Sequence, residues 1–154
     1  MISLRPSNFC AAAELSDFLR THDERGAAAS FIGTVRPNAP AGKVVSLFLE
    51  HHPTLTEKSI ELIVQKAVSR WKLIRHLIMH RVGKVNAGED IVLVAATAPH
   101  RRDSFEAVDF IMDHLKSDAL FWKKQIMSDS EEWIEPGHQD YQDKLRWSGR
   151  AGDR

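Results

Sequence analysis

The feature that most constrains the fold is the segment EDIVLVAATA, residues 89–98, which is almost entirely apolar. A strand that is apolar on both faces has to be covered on both faces, so it belongs in the interior of a sheet. The preceding segment LIRHLIMHRVG, residues 73–83, also has the composition of a strand, and KVNAG joins the two. The sequence therefore predicts a sheet with residues 89–98 near its centre.

Two amphipathic helices are predicted beside this sheet. Residues 53–71 begin with a proline, and Thr54 and Glu57 after it have the spacing of a capping box. The other helix runs from Asp103, directly after the central strand. Their apolar residues recur at three- and four-residue spacing; the predicted buried stripes are Ile60, Ile63, Val64, Ala67, Val68 and Trp71, and Phe105, Val108, Ile111, Met112 and Leu115.

Shorter elements complete the pattern. Residues 7–20 predict a first helix, and residues 26–35 and 43–51 predict two strands, the second with Val45, Leu47 and Leu49 on one face. The loop RPNAPAGK between these strands predicts a long-looped hairpin. Further extended segments are ALFWKKQIM, a short strand, and DSEEWIEP, a final edge. This order indicates an α+β domain with a mostly antiparallel sheet and helices packed against it.

The chain length of 154 residues fits one domain with a real core. We expect that domain over residues 1–136, and a polar tail over 137–154 that is partly disordered or docks on a partner through Tyr141, Leu145 and Trp147. The N-terminal residues lack the pattern of a signal peptide, and the apolar runs are shorter than a membrane span, so a cytoplasmic location is expected.

Several kinds of site are disfavoured. Cys10 is the only cysteine, which excludes an internal disulfide and a cysteine-based zinc site; we expect it to be a small packed residue. His76 and His80 lie four apart on a predicted strand, where they would be about 13 Å apart, so no metal site is expected. The chain also lacks a GxSxG nucleophile elbow and a GK[ST] phosphate loop.

The charges balance at 21 acidic and 21 basic residues, but the cations are clustered. The clusters fall where regular elements begin or end: Arg36 and Lys43 flank a loop, His100, Arg101 and Arg102 open a helix, and Lys116, Lys123 and Lys124 follow that helix. A helix N-terminus with adjacent arginines is a ready anion site. Crowding and partial burial lower the pKa of a lysine and make it a usable base or nucleophile. The residues thus predict a phosphorylated or otherwise anionic small substrate and lysine-assisted chemistry.

Seven sequence motifs together resemble the catalytic subunit of molybdopterin synthase, from about residue 26 to residue 135. These motifs are GAAASFIGTVR, LEHHPTLTEKSI, RW, MHRVGKVNAGE, APHRRDSFEAVDFIMDHLK, FWKKQ and EEWIE. The resemblance implies an α/β-hammerhead fold and a homodimer with a small ubiquitin-like subunit at each end, a heterotetramer overall. It also implies that the small subunit's C-terminal Gly-Gly thiocarboxylate donates sulfur to cyclic pyranopterin monophosphate, forming the molybdopterin dithiolene without a cofactor or metal.

The resemblance also implies roles for individual residues. Lys116 matches the family's essential lysine, and Lys123 matches its second lysine. The implied substrate-binding residues are Thr34, Val35, Arg36, His100, Arg101, Lys124 and Gln125. Arg102 lies outside the pattern and has no assigned role.

Two positions depart from the family pattern. Leu120 stands where the family usually has proline, which should loosen the segment between the lysines, and Gln125 stands where it has glutamate, which should leave the pKa of Lys123 lower. The departures leave open a degraded scaffold that only dimerises. The cation clusters alone leave open a non-enzymatic module that binds a phosphate ligand or RNA, although only Phe121 and Trp122 offer aromatic stacking among the cations.

Overall fold

The fold is that of a computed structural model that describes residues 1–21 and 23–148. Its architecture is α+β, with mostly antiparallel strand pairing, as the sequence predicted. The elements are β1 (Ile2–Arg5), α1 (Ala11–Arg20), β2 (Ala27–Thr34), β3 (Asn38–Ala39), β4 (Gly42–His51), α2 (Pro53–Trp71), β5 (Arg75–Arg81), β6 (Gly83–Asn86), β7 (Asp90–Ala98), α3 (Arg101–Ser117), β8 (Phe121–Met127), β9 (Glu131–Ile134) and α4 (His138–Leu145).

The first sheet has the strand order β1-β5-β7-β2, so the apolar segment lies in its interior as predicted. Alternate residues of β7 serve two different cores. Val92, Val94 and Ala96 pack with α2 and α3, whereas Leu93 and Ala95 pack with α1. Each buried valine or leucine side chain contributes about 1.5–3 kcal/mol, which explains why a strand of this composition organises both layers.

The hairpin predicted between residues 26–35 and 43–51 is wrong. β2 pairs with β7, with Ala27 opposite Ala98 and Gly33 opposite Val92, and β4 belongs to the second sheet. The central strand needs an apolar neighbour on each side, and β2 is one of them. Gly33 permits the close pairing, because a Cβ there would lie 2.8 Å from a methyl carbon of Val92.

The second sheet is built around β4, which pairs with β6 and with β8, while β3 adds a short hairpin. β9 is the edge next to β8, as predicted. The prediction that Val45 shares one face with Leu49 is wrong, because a bulge between Val44 and Ser46 reverses the alternation. Val45 is 46% exposed, whereas Val44, Ser46 and Leu49 are buried.

The helix α2 covers the predicted residues, but its first turn is capped differently. His52 is the N-cap, and its Nδ1 accepts a hydrogen bond from the Leu55 N–H at 3.2 Å, so the predicted capping box of Thr54 and Glu57 does not start the helix. Val68, expected in the buried stripe, is exposed, while Thr56 is buried. The rest of the stripe is buried as predicted, namely Ile60, Ile63, Val64, Ala67 and Trp71.

The helix α3 begins two residues before the expected Asp103. Phe105 is 64% exposed, contrary to the predicted stripe, because the face that contacts the sheet is centred one position away. The buried residues along this face are Ser104, Ala107, Val108, Ile111 and Leu115.

The N-terminal region differs from the sequence prediction in three ways. A short strand, β1, pairs in parallel with β5. The helix α1 begins at Ala11, whose N–H donates to Asp90 Oδ2 at 2.8 Å, and not near residue 7. Cys10 is exposed at the N-cap of this helix, so the expectation of a packed thiol is wrong.

The chain after residue 136 docks on the chain's own core. Trp147 is 3% exposed and lies edge-to-face against Trp71 and Phe110, with ring centroids 5.6 and 5.5 Å away. Tyr141 and Leu145, the other expected docking residues, are exposed. The structure therefore places the tail up to residue 148 in α4 and its following turn, and residues 149–154 lie outside the described range. No helix among the described residues is long and apolar enough to cross a membrane.

Candidate functional site

Lys116 and Lys123 come together where α3 meets β8. Lys116 is the penultimate residue of α3, and Lys123 is the third residue of β8. The two amines lie close enough for the Lys116 charge to lower the pKa of Lys123. The structure thus joins the two residues that the resemblance marks as catalytic.

The environment of Lys123 favours a neutral amine. Burial is the main cause of its lowered pKa, and the positive charge of Lys116 is the second. The carboxylate of Asp140 acts in the opposite direction and raises the pKa. Gln125, at the position where the resemblance implies a glutamate, is buried two residues further along the same strand and is not among these causes. An amine with a lowered pKa can act as a base or nucleophile near neutral pH.

Asp140 is the carboxylate of this site, and sequence reasoning missed it. Its Oδ1 lies 3.2 Å from Lys116 Nζ, and its Oδ2 accepts a hydrogen bond from the Gly137 N–H at 2.9 Å. The residue comes from α4, in the acidic stretch that follows the cation clusters in the sequence. Because Asp140 and Lys116 are 24 residues apart, the sequence offered one signal for their contact, namely an acidic stretch that could pair with the cation clusters.

His80 lies near Lys123. Its ring stacks on Phe121 with centroids 4.2 Å apart and planes 18° from parallel, and its Nδ1 lies 2.8 Å from the Arg81 carbonyl oxygen. Burial lowers the pKa of His80 to about 4; the backbone hydrogen bond opposes this shift, and the charge of Lys123 adds to it. The imidazole is therefore neutral at pH 7, with its proton on Nδ1 facing the carbonyl oxygen. The sequence motif contained His80, but gave no reason to assign it to the site.

The segment between the two lysines is held by hydrogen bonds. The hydroxyl of Thr56, a buried residue of α2, donates to the Leu120 carbonyl oxygen at 2.7 Å. The Asp118 N–H donates to the His114 carbonyl oxygen at 2.7 Å, and the Phe121 N–H donates to that of Ala119 at 2.8 Å. The segment that was expected to be loosened by Leu120 is thus tied to α2 at that residue.

Lys124 does not join the two lysines. Successive residues of a strand point to opposite faces, so Lys124 lies on the other side of β8 from Lys123. There its Nζ is 2.9 Å from Glu131 Oε1 and 5.3 Å from the centroid of the Trp133 ring. The structure therefore places Lys124 on the opposite face of β8 from Lys123, paired with Glu131.

The segment from Thr34 to Arg36 lies at the other end of the second sheet. The Val35 side chain is buried among Val44, Leu49 and Val85, so within one chain it supports the segment and does not face solvent. Its N–H donates to the Glu89 carbonyl oxygen at 3.0 Å.

Thr34 and Arg36 themselves are exposed. The carbonyl oxygen of Pro37, the next residue, accepts from the Val44 N–H at 2.9 Å. Val44 is opposite Met127, which is four residues, or about 13 Å, along β8 from Lys123. Pro37, next to Arg36, is therefore bonded to the second sheet at a position about 13 Å along β8 from Lys123.

His100 and Arg101 lie at the far end of α3. A helix rises 1.5 Å per residue, so Arg101 is about 22 Å from Lys116 along the axis. Both residues are exposed, and the His100 side chain makes no capping hydrogen bond in the described structure. Arg101 borders a shallow surface hollow, which is lined by Arg101, Arg102, Phe105 and Glu106. A single chain therefore does not bring this cluster to the lysines.

Arg102 has a structural explanation. It lies 3.6 Å from Glu106, one turn further along α3, and Glu106 also accepts a hydrogen bond from Trp71 Nε1 at 2.9 Å. The pair is exposed on the arginine side, so its contribution to stability is small, well under about 1 kcal/mol. The ion pair with Glu106 thus gives Arg102 a partner within its own helix.

The HRVG…GE motif is largely structural. Arg81 is buried and lies 3.3 Å from Glu89, and its Nη2 donates to the Lys84 carbonyl oxygen at 2.8 Å. Gly83 has φ of +71°, which side-chain-bearing residues rarely adopt. The motif closes the turns between β5 and β7, and so fixes His80 at the end of β5. Among residues 1–21 and 23–148, no group of three His, Cys, Asp or Glu side chains could hold a metal ion.

Comparisons with known proteins agree with the resemblance. The family model described as MoaE protein matches residues 5–118. A molybdopterin synthase catalytic subunit from Salmonella typhimurium is 42% identical over 146 residues, covering 95% of this chain and 97% of the relative.

Solved structures share the fold. The molybdopterin biosynthesis MoaE protein from Burkholderia ambifaria is 38% identical with a TM-score of 0.80, covering 96% of this chain and 97% of that one. The molybdopterin synthase structure from Staphylococcus aureus is 27% identical with a TM-score of 0.75, covering 89% and 96%. The chain belongs to the MoaE family, whose curated members include molybdopterin synthase catalytic subunits.

Proposed function

We propose that this chain is the catalytic, sulfur-transferring subunit of a molybdopterin synthase. The enzyme transfers sulfur from the thiocarboxylated C-terminus of a small ubiquitin-like subunit to cyclic pyranopterin monophosphate, which forms the molybdopterin dithiolene. The observation that carries the proposal is the convergence of Lys116 and Lys123 beside a neutral His80 and a carboxylate. Membership of the family supports it, since curated relatives bear that enzyme's name.

The two lysines have different surroundings and take different roles. Lys116 is exposed at the end of α3, so it can reach an incoming substrate and act on the reacting carbon or on the acyl-linked intermediate. Lys123 is partly buried, and its lowered pKa leaves more of it neutral, so it assists by accepting a proton. The His80 ring lies close enough to feel the charge of Lys123, and because it is neutral it adds no further positive charge to the site.

The phosphate-binding residues come from a second copy of the chain in this proposal. His100 and Arg101 are about 22 Å from Lys116 in one chain, too far to hold a small substrate against it. In a homodimer, this end of α3 from one protomer can complete the lysine end of the other, with Arg36 lining the same pocket. With one small subunit on each protomer, the complete enzyme is a heterotetramer, and we place it in the cytoplasm.

Reconstitution tests the proposed function. The protein is mixed with a thiocarboxylated small subunit and cyclic pyranopterin monophosphate, and the dithiolene product is measured by mass spectrometry. We expect product only with the thiocarboxylated subunit; the same subunit with an ordinary carboxylate is the control. Absence of product with both forms, while the protein remains folded and dimeric, would support the degraded scaffold.

The RNA-binding alternative is tested in the same preparation. Trp122 and Trp133 are exposed near Lys124, which is the arrangement that base stacking would use. That lysine is already paired with Glu131, so we expect weak binding that depends on no particular sequence. A filter-binding titration at two salt concentrations measures it, and tight binding with a steep salt dependence would favour the alternative.

A further inference from the structure

The C-terminal helix α4 brings Asp140 to Lys116, but its anchoring contacts come from the residues that follow the helix. No residue of α4 itself is buried. The anchor is the turn that follows, where Trp147 is buried and its Nε1 donates to Asp113 Oδ2 at 2.7 Å. Arg146 donates to the same oxygen at 2.7 Å, and Lys144 is 2.5 Å from Asp118. These contacts tie α4 to α3 on both sides of Lys116 in sequence.

The anchored helix delivers one carboxylate with a fixed orientation. One oxygen of Asp140 faces Lys116 Nζ, and the other accepts the Gly137 N–H. Because both oxygens are engaged, the carboxylate cannot rotate freely. The Asp140 side chain is partly buried, while the Lys116 side chain is more than half exposed. The exposed Lys116 side chain is thus paired with a carboxylate whose own position is fixed by the Gly137 N–H.

The charges around this carboxylate are few and identifiable. Lys123 faces the site from β8, Lys116 from α3, Asp140 from α4 and His80 from β5. The cross-strand neighbours of Lys123 are Leu49 and Ile134, which carry no charge. Asp140 is therefore the carboxylate that offsets the repulsion between the two amines.

We propose that Asp140 is a positioning residue of the two-lysine site, where its carboxylate fixes the Lys116 amine beside Lys123 and offsets their mutual repulsion. The catalytic consequence rests on the proposed sulfur transfer, whereas the positioning itself does not. The chain also offers a matched control. Asp143 lies on the same helix; its carboxylate accepts a hydrogen bond from Gln139 at 2.8 Å and is not among the charges that shift the pKa of Lys123.

The first experiment needs no sulfur transfer. Rates of modification of Lys116 and Lys123 by an amine-acylating reagent are measured against pH in the full chain, with each lysine resolved by peptide mass spectrometry. We expect Asp140→Asn to move the midpoint for Lys123 to lower pH and to leave Asp143→Asn like the wild type. An unchanged Lys123 midpoint in Asp140→Asn would overturn the proposal, whether or not the protein turns out to transfer sulfur.

The second experiment measures turnover in the reconstituted enzyme. A misplaced reacting group costs up to about 100-fold in rate, so we expect Asp140→Asn to lower kcat at least about tenfold. KM for the anionic substrate should not rise, because a negative charge is removed. Asp140→Glu should recover part of the lost rate. Wild-type kcat in Asp140→Asn, or an equal loss in Asp143→Asn, would show that the helix is only structural. Thermal unfolding of each variant confirms that it is folded.

Discussion

The two ends of α3 both carry cations, but they differ in how much of a site each end contains. At the C-terminal end, Lys116 has a neighbouring lysine, a fixed carboxylate and a neutral imidazole nearby. At the N-terminal end, His100 and Arg101 are exposed, in a place where the helix dipole disfavours positive charge. The first end is organised within one chain, whereas in the enzyme proposed above the second end completes a site only together with an anion or another chain.

Removal of Lys116, at the C-terminal end of α3, should have the largest effect on activity. Lys116→Ala should lower the rate of dithiolene formation about 1,000-fold, within the range for loss of a group that acts directly in proton transfer or covalent catalysis. The exposed ion pair with Asp140 contributes little to stability, so the variant should fold normally. Product is measured by mass spectrometry.

Lys58 provides the control for that experiment. It is exposed on α2 and lies about 200° around the helix from Thr56, the residue that contacts the segment between the lysines, so Lys58→Ala should have wild-type turnover. Normal turnover in Lys116→Ala would remove the basis for assigning chemistry to this end of α3.

The lysine end of α3 also depends on the buried Trp147, which anchors the chain segment that carries Asp140. Trp147→Ala should lower the free energy of unfolding by about 3 kcal/mol, since it removes a buried indole that packs against Trp71 and Phe110. Denaturant unfolding followed by circular dichroism measures this. Tyr141→Ala, on the exposed side of α4, should change the unfolding free energy by less than about 0.5 kcal/mol. Equal effects of the two substitutions would contradict the docking of the tail through Trp147.

The lowered pKa of Lys123 should make the free energy of unfolding depend on pH. Its folded pKa is below the unfolded value, so the unfolded chain binds more protons between the two values, and the free energy of unfolding should rise with pH across that window. Lys123→Met should remove this rise and lower turnover about 100-fold. Unfolding titrations from neutral pH to the ordinary lysine pKa measure the first effect. A wild-type pH slope in the methionine variant would show that the lysine is not in a desolvated site.

The smallest expected effect on activity is that of a substitution at Arg101, at the N-terminal end of α3. Arg101→Ala should raise the apparent KM for the pterin phosphate about tenfold, the loss of one charge-assisted hydrogen bond, and leave kcat nearly unchanged. Steady-state kinetics at saturating small subunit measure both. Arg102→Ala is the matched control, because Arg102 is paired with Glu106. An unchanged KM in Arg101→Ala would contradict a phosphate role for this end.

Sequence patterns predicted the features that depend on local composition. The apolar strand at 90–98 could only be stable between two neighbours, and the helix after it was visible from its periodicity. Partner choice was not visible in the same way. Residues 26–35 could pair with any apolar strand, and the pairing with β7 depends on space at Gly33. The four residues of β1 are too few, and too evenly half-buried, to give an alternating pattern.

The lysine site was predictable in part for similar reasons. Lys116 and Lys123 follow one another closely in sequence, so their convergence needed only the end of a helix and the start of a strand. Asp140 reaches the site because Trp147 is buried against α2 and α3, a long-range packing contact that polar tail composition does not reveal. The separation of Lys124 from Lys123 follows from strand alternation, once the segment is known to be extended throughout.

Mixing the Lys116→Ala and Arg101→Ala variants tests directly whether each site is completed by residues from both chains of a dimer. In a dimer of Lys116→Ala with Arg101→Ala, we expect one inactive site and one site with a wild-type lysine and a wild-type arginine from opposite chains. Turnover at low substrate concentration should therefore exceed that of either variant alone, after the chains have been exchanged and the mixed dimer isolated. Turnover equal to the average of the two separate variants would show that each chain uses its own residues, and would contradict a site completed across the dimer.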